Sequence, residues 1–321
     1  MAAWFEKNNL RRFPRVEMPV KLFITPEKPI TDLEIFALGI DYFPTSVQNK
    51  INHNHKQLMH WLSHIQEQKE VLEPVFMQML DAVTVLGDSV KMISLGKSPL
   101  NNEKTLKQIT GNLKKIGSVA DLEKSAPKTH LFLFELEKKL SHFYRLLFLS
   151  LHKSTPQKYH SFNPKGHKFK IDDMTAKFNQ PTYQKIPLAQ TIYFMNELVN
   201  NYCEVFQELN SDYSYIGNPK TWQTRDVNIS AGGIAVLYRK RFIAGRPLTS
   251  RIYFDGYDRV MEFKTVFSHS KTDHNNEGEL NAFYFEFPHS QDQKFLELEV
   301  EKYQIKKIVS LCLNHQFEAS I

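Results

Sequence analysis

The chain has 321 residues, 41% of them hydrophobic and 24% charged, which is enough material for a buried core in two domains or one elaborated domain. Its formal net charge of +6 suits an anionic partner. The nearest basic clusters, Arg11-Arg12 with Arg15 and Arg239-Lys240-Arg241, fall short of the Lys/Arg run that a nucleic-acid tail carries.

Residues 11–30 look extended. Val16, Met18, Val20, Leu22 and Ile24 alternate at period two, and prolines at 14, 19, 26 and 29 mark the ends and an edge position. Residues 31–211 read as helical. Their strongest feature is a stripe spaced alternately by three and four: Ile51, His55, Leu58, Leu62, Ile65, Lys69, Leu72, Phe76, Met79, Val83, Leu86, Val90 and Ile93. Only His55 and Lys69 interrupt it. A seam this long is the pattern of a coiled coil and needs a partner helix, from this chain or from a second copy. A single helix over 51–93 exceeds the usual globular length, which favours self-association, and Pro74 predicts a kink near Leu72.

Gly96 and Pro99 end that helix. A short helix follows through Leu106, Ile109, Leu113 and Ile116, then a long buried amphipathic one from Leu131 to His152. Residues 154–187, rich in Lys, Pro, His and Asn, read as a long loop. Pro187 opens another helix through Leu209. From about 222 the periodicity changes. Val227–Tyr238, Leu248–Phe254, Val260–Phe267 and Leu280–Phe287 are strand-like runs separated by Gly, Asp and Asn. Ser290 with Gln293 forms a capping box for a last helix carrying Phe295, Leu296, Val300, Tyr303 and Ile305. A lone strand at 11–30 is unstable without partners, and the nearest lie beyond 222. One barrel interrupted by a helical insertion is the economical solution.

Two segments have chemistry suited to a ligand. Arg11-Arg12-Phe13-Pro14-Arg15 sets guanidinium groups just ahead of a strand, where they can grip phosphate bidentately and stack on bases. Asn228-Ile229-Ser230-Ala231-Gly232-Gly233 offers an amide, a hydroxyl and two glycines in a tight turn, where a backbone can approach closely. Taken singly, paired arginines are commonly solvated charge and Asn-x-Ser-x-Gly-Gly a plain turn.

Together they resemble the PilZ family: RxxxR (Arg11, Arg15) before one strand and [D/N]xSxxG (Asn228, Ser230, Gly233) opening a later one. The likeness covers about residues 8–26 and 222–306, roughly a third of the chain. It implies an α+β protein whose small antiparallel six-stranded barrel, with a C-terminal helix, is built from residues 1–30 and 212–321. A helical coiled-coil or bundle insertion over 31–211 interrupts it. It also implies a receptor for cyclic-di-GMP. Arg11 and Arg15 would hold phosphates and stack on guanines, Arg12 would add a phosphate contact, and Asn228, Ser230, Gly232 and Gly233 would meet a guanine. The long heptad helix is similar to that of a tetrameric PilZ subgroup, implying a homo-oligomer, dimer or tetramer, through residues 51–93. The long separation of the two motifs departs from the family, as does Leu10 where a polar or basic residue is usual.

The other features point away from catalysis. There is no P-loop, GxGxxG or GxSxG, and His60 with His64 lacks the carboxylate of an HExxH site. Cys203 and Cys312 sit in apolar stretches without CxxC spacing, so buried free thiols in a reducing compartment are expected. The N-terminal residues lack the apolar core of a secretion signal, and no window approaches ~18 uninterrupted apolar residues. The expectation is a cytoplasmic, non-enzymatic sensor with no cofactor, no nucleic-acid polymer as partner, and a downstream protein to which it passes the signal. The alternative is a non-binding PilZ-like oligomer that scaffolds motility or secretion machinery.

Overall fold

The computed structural model describes residues 13–30, 32–162, 168–213 and 218–318. Arg11 and Arg12 of the arginine segment lie outside the described residues.

The lone N-terminal strand, β1 (Val16–Pro26), does find its partners beyond residue 222. The strands there are β2 (Thr224–Ser230), β3 (Gly233–Tyr238), β4 (Leu248–Phe254), β5 (Arg259–Thr272) and β6 (Glu279–Glu286), of which β2 and β4 flank β1. All pairings are antiparallel and close in the order β1-β2-β3-β6-β5-β4. Closure removes the edges that would otherwise seek other chains. The period-two reading of β1 holds, since Val16, Val20, Leu22 and Ile24 are buried. β1 is not an edge strand along its length. It pairs with β2 over residues 16–21 and with β4 only from Lys21 onward. Pro19 therefore falls where one side is unpaired, so its missing N–H is tolerated there. The run Val227–Tyr238 is two strands, turned at residues 231–232.

The insertion contains α1 (Thr45–Ser63), α2 (Lys69–Ser94), α3 (Glu103–Lys114), α4 (Leu122–Ser125), α5 (Pro127–Lys153), α6 (Lys170–Ala176) and α7 (Pro187–Tyr213). The expected continuous helix over 51–93 is broken at residues 64–68, where Gln68 takes a left-handed φ of 54°. Pro74 sits inside α2, downstream of the break. The heptad seam is not an exposed interface. From Leu58 to Ile93 its apolar members are at most 5% exposed within a single copy. They are covered by the chain's own helices, chiefly α7, which packs on both α1 and α2. That contact is close: a Cβ on Gly87 of α2 would lie 2.2 Å from the Tyr202 ring of α7. The segment 154–187 is not a plain loop. It holds α6 and buries Tyr159, Ile171 and Phe178.

Several polar contacts tie barrel to insertion. The buried Glu279 carboxylate of β6 accepts from the Ser46 amide at 2.9 Å in the first turn of α1, where the helix dipole favours an anion. Asp41 and Arg241 exchange both backbone hydrogen bonds and an ion pair of 2.8 Å. Lys240, just beyond β3 and 3% exposed, binds Asp212 and, at 3.2 Å, Glu208, both of α7.

The last helix, α8 (Ser290–Glu318), lays Leu296 and Val300 on the barrel, while Gln293 donates to the Ala231 carbonyl at 3.3 Å. Ile305, expected on the packed face, is 61% exposed together with Leu298, Ile308 and Val309. Cys203 is buried as expected, but Cys312 is exposed. Among the described residues no helix is long and apolar enough to cross a membrane.

Candidate functional site

The barrel brings together the two segments that sequence reasoning singled out. Arg15 immediately precedes β1, and Asn228 lies on β2 opposite Glu17. Arg15 Nη1 donates to Asn228 Oδ1 at 3.4 Å. Phe13 of the arginine segment rests on the glycine turn, where a Cβ on Gly232 would come within 3.2 Å of its ring. The N-terminal segment is thus anchored on the β2–β3 turn by an aromatic contact and a charged hydrogen bond.

The two glycines have different work. Gly233 pairs with Tyr284 of β6, and a Cβ there would lie 2.3 Å from the Phe283 carbonyl oxygen. Only a residue without a side chain lets β3 approach β6 this closely. Gly232 receives the Phe285 amide on its carbonyl, 3.2 Å away. Ser230 is 4% exposed, and its hydroxyl accepts from the Gly232 amide at 3.3 Å and donates to the Gly233 carbonyl at 3.4 Å. That hydroxyl therefore fixes the turn, in the manner of a local side-chain-to-backbone motif.

Around these residues opens a cleft of about 750 Å3 on the outside of the barrel. A single row of cross-strand partners makes its base: Glu17, Asn228, Ala235, Ala282 and His269, one from each of β1, β2, β3, β6 and β5. Ala235 and Ala282, at the centre, are small and leave the depression. Tyr284, 58% exposed, and Leu280, 44% exposed, line it with apolar surface. Lys271 and Arg15 bring positive charge, Glu17 negative. Basic groups, an exposed aromatic ring and a small-residue floor suit an anionic ligand that carries flat rings.

Sequence reasoning missed His269, Lys271 and Tyr284. The signal for the first two was a change of parity in β5. Met261, Phe263 and Thr265 are apolar or buried at odd positions, after which the odd positions turn polar at His269 and Lys271.

The second basic cluster, Arg239-Lys240-Arg241, is not an anion site. Each member pairs with a carboxylate: Glu204, Asp212 with Glu208, and Asp41 respectively. Tyr42 adds a hydrogen bond to Asp212 at 2.7 Å, and the Arg225 guanidinium lies 4.5 Å over the Tyr238 ring. Burial opposes ionisation of Glu208, but Lys240 and Arg225 outweigh it and hold its carboxyl below the ordinary range. Burial pushes Tyr238 up to about 12. This network is charge-balanced and structural in character.

No protein-family model, curated protein or solved structure matches this chain.

Proposed function

We propose that this protein is a bacterial cytoplasmic receptor for cyclic-di-GMP, and that the barrel-surface cleft is where the messenger binds. The observation that carries the reading is the meeting of Arg15 with Asn228 beside the Gly232-Gly233 turn, in a cleft large enough for a dinucleotide. Arg15 would grip a phosphate, Asn228 a guanine edge, and the turn would let backbone approach the base. Arg11 and Arg12 join this reading from the sequence pattern alone. No bond is made or broken, so the activity is recognition and transmission.

Transmission has a physical route. Asn228 lies three residues from Arg225 on the same strand, and Arg225 faces Glu208 of α7 at 4.0 Å. A ligand that favours one setting of β2 would shift the helical insertion through that junction. A downstream protein would read the change.

One observation favours the scaffold reading instead: the Ser230 hydroxyl already serves the turn, so the motif has a structural use without any ligand. The two readings separate in a thermal-melt experiment. A receptor melts at higher temperature as cyclic-di-GMP is added and is indifferent to GMP at equal concentration, because a ligand selective for the native state stabilises it by mass action. A scaffold shows no shift with either.

A further inference from the structure

β5 does not run straight past the cleft. Its pairing with β6 shifts register between Phe267 and His269, leaving Ser268 as the extra residue of a bulge. Before the bulge, odd-numbered residues point into the barrel: Met261, Phe263 and Thr265 are buried. A one-residue slip moves every later side chain to the other face. After it, His269 and Lys271 are exposed, and Thr272 turns inward to bond the buried Glu279 at 3.2 Å. Without the bulge, His269 and Lys271 would lie in the barrel core.

Bulges of this kind re-aim side chains beside functional sites. Here the re-aimed pair closes the cleft on the side opposite Arg15 and Asn228. Across the floor of the cleft, four inter-strand steps lead from β1 through β2, β3 and β6 to β5, an arc on the order of 19 Å along the barrel surface. Between Asn228 and His269 the row holds only Ala235 and Ala282. Among the described residues no carboxylate pairs with Lys271, in contrast to Arg239, Lys240 and Arg241. The His269 ring is steadied by the Ser268 hydroxyl, 3.0 Å from Nδ1, which leaves Nε2 for a ligand.

We infer that the β5 bulge builds a second anion-binding wall, with Lys271 contacting a phosphate and His269 a polar edge of the ligand, so that the cleft grips both ends of a dinucleotide. The inference rests on the receptor reading above and assigns the residues that make the site select a dinucleotide over a mononucleotide.

The test is calorimetric titration of the full chain with cyclic-di-GMP and, separately, with GMP. The proteins compared are wild type, Lys271→Ala, His269→Ala and Val266→Ala, the last altering an exposed β5 residue that precedes the bulge. Lys271→Ala should weaken cyclic-di-GMP binding about tenfold, the loss of one charged contact, and His269→Ala should weaken it less. Both should narrow the preference over GMP, while Val266→Ala matches wild type. All three positions are exposed, so melting temperatures without ligand should stay within a degree or two of wild type. Wild-type binding with unchanged affinity in both Lys271→Ala and His269→Ala overturns the second wall and leaves the receptor reading standing. Absence of binding by the wild type removes the receptor reading and this inference with it.

Discussion

Arg15 and Asn228 are 213 positions apart in the chain, yet the Arg15 guanidinium donates to the Asn228 side-chain oxygen at 3.4 Å. The contact presets the guanidinium at the mouth of the cleft. Asn228→Ala removes the acceptor and, on the proposed function, the amide that would meet a guanine edge. It should weaken cyclic-di-GMP binding by about 1–2 kcal/mol, whereas Asn228→Asp keeps an acceptor for Arg15 and should lose less. Comparative binding isotherms of the two variants check this order.

Gly233→Ala should destabilise the barrel by about 1–3 kcal/mol. The new Cβ would lie 2.3 Å from a backbone oxygen of β6, and backbone cannot move aside without breaking the ladder. Gly232→Ala should cost less, since it meets only the edge of the Phe13 ring at 3.2 Å. Urea denaturation of the two variants gives the comparison.

Lys240→Met leaves Asp212 and Glu208 buried without their ammonium partner and should cost about 3–5 kcal/mol. Adding Asp212→Asn to Lys240→Met should restore part of that loss, because an uncompensated charge is then absent. A double-mutant cycle by denaturation measures the coupling.

How much of this was written in the sequence depends on which residues one asks about. The alternation of Val16, Val20, Leu22 and Ile24 announces a strand with one buried face, and the need of a lone strand for partners points to the residues after 222. The meeting of Arg15 with Asn228 follows from that closure. The stripe from Leu58 to Ile93 says that a helix face is covered but not by what. α7 carries its own apolar stripe through Met195, Val199 and Phe206, and covers the seam from within the chain. The turn at Gln68 leaves no mark, because a left-handed glutamine is set by its surroundings. α6 was hidden by polar composition, with Ile171 as its one buried apolar anchor and Phe178 buried just beyond its end. The β5 bulge was legible only as a lapse in alternation after Thr265.

The polar cavity of the insertion gives a pH-dependent prediction. Glu197 lies in it with Lys139, Asn196 and Asn200, and burial raises its carboxyl above the ordinary range despite a 3.1 Å hydrogen bond from Asn200. A carboxyl whose folded pKa is raised contributes stability that is complete below its unfolded pKa and is lost as pH rises through the folded value. Glu197→Gln removes that dependence. The variant should melt higher than wild type at pH 7, with the difference closing below about pH 4. Melting curves across that interval read the effect, and a constant difference at every pH would assign it to packing instead.

The central claim is that the cleft on the outside of the barrel, beside Arg15, Asn228 and the glycine turn, binds cyclic-di-GMP. Calorimetric titration of cyclic-di-GMP into the wild-type chain, with Arg15→Ala alongside, tests it most directly. Saturable heat with wild type, and affinity lower by about one to two orders of magnitude in Arg15→Ala, is the predicted result. No heat from the wild type at tens of micromolar ligand, or equal affinity in both proteins, would contradict it.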